Sequence, residues 1–168
     1  MVARVSVTDY EGTVVFDSFV RPTCVHPVSD YRTPETGLQP AHLAAAPPFA
    51  QVQAHVCALL RGKIAVGHAL WDFLAATGLR HATRATRDVA AYVPFRRRLR
   101  CGRQLPPLPV LVNRLMGRNI ALGHEHPLEN ARAALDLFRS VEQTWEASID
   151  AGSWPCTLPP VAYAEYFT

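Results

Sequence analysis

The sequence lacks the local motifs of several large classes of enzyme. It has no G-x-G-x-x-G or G-x-x-x-x-G-K-[ST] segment, which would mark a dinucleotide or nucleoside triphosphate site, and no G-x-S-x-G nucleophile turn. Its four cysteines lie far apart, so neither a zinc ribbon nor a redox pair is indicated. No signal peptide opens the chain and no apolar run is long enough to span a bilayer, so we expect reduced thiols and no membrane partner.

Lysine is almost absent. Lys63 is the single lysine among 17 basic residues, and all the others are arginine. Eight of these arginines lie between Arg80 and Arg103, with Asp88 as the one acidic residue among them. Because the arginine guanidinium is suited to phosphate, this stretch indicates a nucleic-acid surface. Two alternatives are a solvent-exposed loop and the codon bias of a GC-rich genome.

The pattern of apolar residues predicts an α/β domain. With 49% hydrophobic residues, a chain of 168 has enough apolar material for one core. β-branched residues around an acidic, glycine-ended turn predict a hairpin, and helical spacing after Pro48 predicts a helix closed by Gly62. In chain order we predict strands over 2–7 and 13–20, a loop over 21–39, a helix from Pro48, a buried strand over 63–68, a helix over 70–79, a short strand over 87–92, a loop over 96–109, and helices over 110–116 and from Pro127 to Trp145. This order is typical of a hairpin that leads into parallel crossovers.

Several segments match one family in the right order, between about residues 3 and 146. They are Ala3–Val7, Phe19–Pro22, Asp30–Thr33 with Gly37-Leu38 and Pro40, Val66–Leu70, Arg87-Asp88 with Tyr92 and Pro94-Phe95, Glu129–Ala133, and Val141-Glu142 with Trp145-Glu146. Together they resemble the DEDDh 3′–5′ exonucleases, in the group of RNA exonuclease 4 and the interferon-stimulated exonucleases. The resemblance implies a ribonuclease H-like α/β fold, with a mixed sheet flanked by helices. We expect an exonuclease-like domain over 1–146 and an aromatic, proline-containing tail over 147–168.

The chemistry that the resemblance implies needs four carboxylates and one histidine. The carboxylates hold two divalent metal ions, Mg²⁺ or Mn²⁺, and the histidine deprotonates the attacking water. The first two carboxylates form a D-x-E motif on the family's first strand, and this chain begins directly in the second strand. We therefore expect the first strand to be missing between the second strand and the strand at Ile64–Val66. Two hypotheses account for this: the start at Met1 is wrongly assigned, or a partner supplies a strand there.

The remaining catalytic positions are also altered. Counting without gaps from His68 places Phe73 at the third carboxylate position, with Asp72 one residue away. Asn130 replaces the last carboxylate, and Glu125 stands at the histidine position beside His126. The candidate catalytic residues are thus Asp72, Glu125, His126 and Asn130, with Asp72 and Asn130 as weak metal ligands and no cofactor if the site is inactive. A local shift would return Asp72 and His126 to the site.

Seven residues are candidates for nucleic-acid contact, because they lie in matching loops or in the basic stretch: Arg32, His68, Arg96, Arg97, Arg98, Arg100 and Arg103. For His68, at a predicted strand end, packing and hydrogen bonding are the alternative role. His124 and His126, two positions apart, also fit a zinc site, although surface exposure is the commoner role for such a pair.

Three interpretations of function follow. The first is a 3′–5′ RNA exonuclease-family domain, catalytically impaired in this form. By resemblance it acts on RNA 3′ ends in ribosomal RNA processing in the nucleus or nucleolus, with DNA as an open alternative. The second is a pseudonuclease, nuclear or cytoplasmic, that binds RNA, or a protein partner at the open position of the sheet. The third is a product with no stable fold.

Overall fold

The amino-terminal part of the chain forms a two-stranded antiparallel sheet in a computed structural model that describes residues 1–23, 28–102 and 104–168. Strands β1 (Arg4–Thr8) and β2 (Val14–Phe19) pair with Val5 opposite Ser18. The turn between them holds Gly12 at φ 83°, a conformation that glycine adopts without strain. The hairpin predicted from the sequence is therefore present.

A second, parallel sheet of two strands follows later in the chain. Strands β3 (Ala65–Gly67) and β4 (Thr86–Asp88) pair in parallel, with Val66 opposite Arg87. Helix α4 (Leu70–Thr77) lies in the crossover that connects them, which is the connection that a parallel pair requires. The predicted strand over 87–92 is shorter than expected and begins one residue earlier.

The helices surround these sheets. In chain order they are α1 (Thr33–Thr36), α2 (Pro40–Ala44), α3 (Phe49–Leu60), α4, α5 (Val93–Leu99), α6 (Leu108–Met116), α7 (Pro127–Arg139) and α8 (Glu142–Asp150), with 3-10 turns at Thr83–Ala85 and Val161–Tyr166. The predictions of a loop over 21–39 and of a loop from 96 were wrong for α1 and α5. Both helices carry a proline in their first turn, where its missing N–H leaves no bond unmade.

The long helix predicted from Pro127 to Trp145 is two helices. The backbone leaves the helical conformation at Val141, with φ −133°, and α8 begins at the next residue. This bend turns Trp145 into the core, where it is fully buried and stacks on Tyr92 with ring centroids 4.0 Å apart. Apolar spacing continues across the bend, which is why the sequence pattern did not show it.

The segment beyond residue 146 packs against the rest of the chain. Helix α8 runs through this position, and Thr157 donates its backbone N–H to the Ala91 carbonyl at 2.9 Å. Near the end of the chain, the Thr168 backbone N–H donates to the His81 carbonyl at 3.0 Å. The segment from 147 to 168 is therefore bound to the rest of the domain by backbone hydrogen bonds.

Two apolar clusters form the core. One joins Val5 of β1 to α3 and α4, and the other joins α5, α6, α7 and α8 around Trp145. Helix α7 contacts both β1 and β3 and so spans the two sheets. The result is an α/β fold with helices flanking small sheets. Within the described residues, no helix is both long and apolar enough to cross a membrane.

Candidate functional site

Two adjoining cavities meet at one group of residues. The larger cavity, of about 1140 Å³, lies between β1 and β3, and the smaller one, of about 500 Å³, lies beside the start of β1. Phe73, Glu125 and Asn130 line both cavities. At these positions the resemblance to the exonuclease family implies the third carboxylate, the histidine and the last carboxylate, respectively. The fold therefore brings the three altered positions to one place.

Phe73 is placed there by the start of α4. No side chain within this helix caps its amino end, and Asp88 of β4 does so instead. The Asp88 carboxylate accepts hydrogen bonds from the backbone N–H of Ala69 at 3.0 Å, Leu70 at 2.7 Å and Ala90 at 2.9 Å. Burial nevertheless raises the pKa of Asp88, because desolvation of the charged form outweighs these bonds.

Glu125 and Asn130 are placed by the start of α7. The Asn130 backbone N–H donates to the His126 carbonyl at 3.0 Å, in the first turn of the helix. The Glu125 backbone N–H donates to the Glu35 carbonyl at 2.7 Å, which ties this segment to α1. The His124 ring lies against Gly37, where an added Cβ would come within 2.7 Å of the ring. A glycine is therefore needed for this close approach.

Asp72 is not part of this group. Its side chain is exposed, it lines neither cavity, and its neighbour is Tyr163 of the carboxyl-terminal 3-10 turn. Hydrogen bonding to Asp72 raises the pKa of Tyr163. Successive helical residues are rotated by about 100°, so Phe73 and Asp72 cannot share a face. The structure thus gives no geometric support to Asp72 as a catalytic residue or a metal ligand.

His126 is held by an arginine. Arg4 Nη1 lies 3.0 Å from His126 Nε2, and a guanidinium can only donate, so Nε2 accepts this bond. Arg4 also donates two bonds to Asp17, at 2.9 and 2.6 Å, and lies over the Phe19 ring. The bond from Arg4 holds the pKa of Asp17 below its ordinary value. The lone pair that His126 would need as a base is therefore already engaged.

The donor set at the cavities does not fit a pair of divalent metal ions. Among the residues that line both cavities, Glu125 offers the one carboxylate, Ser6 a hydroxyl oxygen and Asn130 a neutral amide oxygen, while Phe73 offers no ligand. Across the three described stretches of the chain, no group of three or more His, Cys, Asp or Glu side chains is arranged to hold a metal ion. Two Mg²⁺ ions need several oxygen ligands, so no metal-dependent step follows from these residues.

The candidate nucleic-acid contacts divide into two groups. Arg97, Arg98 and Arg100 are exposed on or just after α5, and Arg32 is exposed in a left-handed conformation before α1. Arg96 is engaged with the Thr157 hydroxyl at 2.9 Å and the Gly102 carbonyl at 2.7 Å. Arg103 lies outside the described residues. The exposed members thus remain available to a phosphate chain.

His68 and Arg87 have structural partners. His68 Nε2 donates to the Pro106 carbonyl at 2.8 Å and so fastens the segment before α6 to the end of β3. Arg87 is 3% exposed and donates to both Glu146 carboxylate oxygens, at 2.6 and 2.7 Å. Arg87 is therefore a buried member of the basic stretch and does not contribute to the exposed surface of the protein.

Two residues that shape the site were not singled out from the sequence. Arg4 lies in the first strand predicted for this chain, over 2–7. Nothing in the neighbouring sequence indicates that it reaches His126, 122 positions away. Asp88 belongs to the Arg87-Asp88 segment that resembles the family, so the sequence indicated its position. It did not indicate that Asp88 accepts hydrogen bonds from the start of α4. Both roles depend on contacts between distant segments.

Comparison with known proteins gives a consistent set of relatives, although no family model matches the chain. The chain is 36% identical over 151 residues to RNA exonuclease 4 of Xenopus tropicalis, covering 90% of this chain and 36% of that protein. It is 35% identical over 157 residues to RNA exonuclease 4 of Mus musculus, covering 94% of this chain and 35% of that protein. The chain therefore spans little more than a third of the length of these relatives.

A solved structure also matches the fold. The Saccharomyces cerevisiae Pan2 pseudoubiquitin hydrolase–RNA exonuclease module, solved in complex with AAUUAA RNA, superposes with a TM-score of 0.71 at 25% identity. The match covers 89% of this chain and 26% of that one. The architecture of two small sheets flanked by helices is thus that of an exonuclease module.

Proposed function

Because this chain belongs to the RNA exonuclease 4-like group of the DEDDh exonucleases, we propose that it binds the 3′ ends of RNA and hydrolyses them poorly or not at all. The observation that carries this proposal is the meeting of Phe73, Glu125 and Asn130 at the two cavities. Phe73 and Asn130 stand at two of the family's metal-ligand positions without a carboxylate, which supports weak hydrolysis or none.

The smaller cavity supports the RNA-binding half of the proposal. Its lining combines a cation, imidazoles and aromatic rings, which suit phosphate and base: Arg4, His42, His124, His126, Phe19 and Phe73. Phe19 stacks on His42 with ring centroids 4.9 Å apart, so a flat apolar surface already exists there. Stacking of a terminal base and contact with its phosphate are the usual means of holding a single strand.

The exposed arginines extend this surface. Arg97 and Arg98 lie on α5, and the segment that follows α5 is fastened beside the larger cavity by the bond between His68 and Pro106. We infer that a strand whose 3′ end enters the cavities continues toward these cations. RNA held through arginine–phosphate contacts is released by salt, because counterions compete for the backbone.

Binding and cleavage are tested separately with a short single-stranded RNA that carries fluorescein at its 5′ end. Anisotropy in the presence of EDTA measures binding, and we expect affinity to fall as salt rises. The variant Arg97→Glu with Arg98→Glu should weaken binding and reduce the salt slope by about 1.4, at about 0.7 for each lost phosphate contact. The matched control carries Arg114→Glu and Arg139→Glu, two exposed arginines on other helices, and should bind like the unchanged chain.

Cleavage is followed on the same RNA with Mg²⁺ or Mn²⁺. We expect no shortening from the 3′ end, in the unchanged chain and in Glu125→Ala alike. Metal-dependent shortening that Glu125→Ala abolishes would contradict impaired hydrolysis. Equal loss of RNA binding in the two arginine double variants would contradict the surface proposed for it.

The biological substrate is also a proposal. The relatives are RNA exonucleases by name, which supports RNA over DNA, and the resemblance supports ribosomal RNA precursors and a nuclear or nucleolar location. Crosslinking of the chain in cells, followed by sequencing of the bound RNA, tests the substrate. Enrichment of messenger RNA over ribosomal precursors, or exclusion of the tagged chain from the nucleus, would contradict this assignment.

A further inference from the structure

A short apolar segment with two prolines projects from the surface between helix α8 and the last 3-10 turn. Leu158 is 79% exposed and Val161 is 91% exposed, and Pro159 and Pro160 stand between them. Exposure of this degree leaves nearly the whole of each apolar side chain in water, so its burial against a partner would be favourable. The 158–161 segment is therefore a candidate for contact with another molecule.

The backbone of this segment follows a polyproline II helix. Pro160 has φ −56° and ψ 143°, which lie in that region. The ring of Pro159 fixes its φ at about −65°, and a residue that precedes proline is held to extended ψ, which applies to both Leu158 and Pro159. Three successive residues thus form about one turn of a polyproline helix.

The fold holds this segment at both ends. Before it, Thr157 donates its backbone N–H to the Ala91 carbonyl at 2.9 Å. After it, the Tyr163 backbone N–H donates to the Pro160 carbonyl at 2.9 Å. Because both ends are fixed, a partner does not have to order a free chain when it binds, and the entropic cost of association is reduced.

The backbone of the segment offers acceptors to a partner. Within the described residues, no N–H or side-chain donor bonds the carbonyl oxygens of Leu158 or Pro159. Proline has no N–H, so Pro159 and Pro160 add no backbone donor. A tryptophan indole N–H or a tyrosine hydroxyl suits such acceptors, because each combines a donor with a large apolar ring.

A second proline-containing run is used in the opposite way. The run over 105–109 reads L-P-P-L-P, and its Pro107 has a similar conformation, with φ −58° and ψ 146°. Pro106 is buried, however, and Leu108 is 6% exposed in the core beside α6. A partner could reach these side chains only by unfolding the start of α6. Exposure therefore distinguishes the 158–161 segment from this run, although their compositions are alike.

We propose that the 158–161 segment is a ligand for a partner protein whose surface carries an aromatic-lined groove for polyproline helices. The rings of Pro159 and Pro160 pack on the aromatic side chains of the groove, and Leu158 and Val161 extend the apolar contact at either end. Such grooves recognise a segment that already has its bound conformation, which this one has. The proposal is independent of RNA binding.

The probe is a panel of isolated SH3, WW and EVH1 domains, whose grooves have this chemistry. Each domain is titrated into the isotope-labelled 168-residue chain without RNA, and backbone amide shifts are followed by NMR. We expect at least one domain to bind with a dissociation constant below about 1 mM, with shifts centred on residues 157–163. Failure of every domain to bind, or shifts centred on 105–109, would overturn the proposal.

Matched variants test the role of the prolines. Pro159→Ala with Pro160→Ala removes the rings and frees the backbone, and should weaken binding at least about tenfold. Pro107→Ala with Pro109→Ala changes two exposed prolines of the other run and should leave binding unchanged. Equal binding by the Pro159 and Pro160 variant and the unchanged chain would overturn the proposal.

Two further measurements guard against misfolding and self-association. Circular dichroism checks that each variant folds, and if the Pro159 and Pro160 variant does not, Leu158→Asp with Val161→Asp takes its place, since both side chains are on the surface. This variant should also lose at least about tenfold in affinity, and unchanged affinity would overturn the proposal. Dimerisation of the chain by itself that Leu158→Asp abolishes would overturn it in favour of a second copy.

Discussion

Two sets of residues around the first turn of helix α4 make opposite kinds of contact with their surroundings. At its start, the buried Asp88 carboxylate accepts three backbone hydrogen bonds, and the adjacent Arg87 is paired with Glu146. One turn later the same helix presents Phe73 to the cavities, beside Asn130 and Glu125. The hydrogen bonds that position the helix are thus made, while the described residues around Phe73 include no group of side chains arranged to hold a metal ion. Stability and chemistry reside in different residues of one fold, so one can be lost without the other.

Removal of the Asp88 carboxylate should have the largest effect on stability. Asp88→Ala leaves the N–H groups of Ala69, Leu70 and Ala90 without their acceptor in a buried place, and we expect a loss of about 3–5 kcal/mol in the free energy of unfolding. Urea denaturation measures this loss. The control is Asp136→Ala, in an ion pair with Arg118 whose side chains are 33% and 45% exposed, where we expect less than about 1 kcal/mol. Equal losses in both variants would remove the distinction between network and surface.

The pH dependence of stability, compared between the unchanged chain and Asp88→Asn, tests the role of the Asp88 carboxylate further. Because burial raises the pKa of Asp88 above 3.8, its contribution to stability is present below that value and is lost as pH rises through the folded-state pKa. An asparagine does not titrate. The stability of the unchanged chain relative to Asp88→Asn should therefore fall as the pH rises above the ordinary pKa of an aspartate, about 4. A difference that rises with pH would mean that the three hydrogen bonds outweigh desolvation.

Glu146→Gln should have an intermediate effect. It leaves the Arg87 side chain, 4% exposed, with a neutral partner, while the Glu146 side chain was itself 34% exposed. Arg87 keeps bonds to the carbonyls of Arg84 and Thr86. We expect a loss of about 2 kcal/mol, below the range for a fully buried pair. Urea denaturation measures it, with Asp136→Asn as the surface control; a loss no larger than in that control would place Arg87 outside the network.

Asn130→Ala should have the smallest effect. Asn130 is half-buried at the cavities, and its side chain makes no hydrogen bond within the described residues. We expect a change within about 0.5 kcal/mol, as for a residue outside any network. Thermal unfolding compared with Asp88→Ala measures the contrast. A loss above about 2 kcal/mol would show that the cavity surface also holds the fold together.

Local elements were predicted well where the pattern was local. The hairpin around Gly12, the helix after Pro48 and the strand before His68 follow from turn residues and apolar spacing within a few positions. The bend at Val141 was missed because apolar spacing runs through it. Helix α5 was missed because the basic, proline-containing stretch over 96–109 suggested a loop. Helix α5 forms because Phe95 is buried in the core of α6 and α7, a contact that local sequence does not encode.

The candidate site was predicted in part. The ungapped count that placed Phe73 rather than Asp72 at the third position agrees with the cavities, which Phe73 lines and Asp72 does not. The engagement of His126 by Arg4 was not foreseen, since it joins two segments at opposite ends of the chain. The roles of Glu125, His126 and Asn130 in binding or catalysis stay predictions.

The sequence by itself determined the hairpin around Gly12, the helix after Pro48, the resemblance to the exonuclease family and the identities of the residues at the altered positions, because periodicity, turns and motifs are properties of neighbouring residues. Tertiary structure alone decided which side chains meet. It turned Phe73 and not Asp72 toward Asn130, since adjacent helical residues point in different directions.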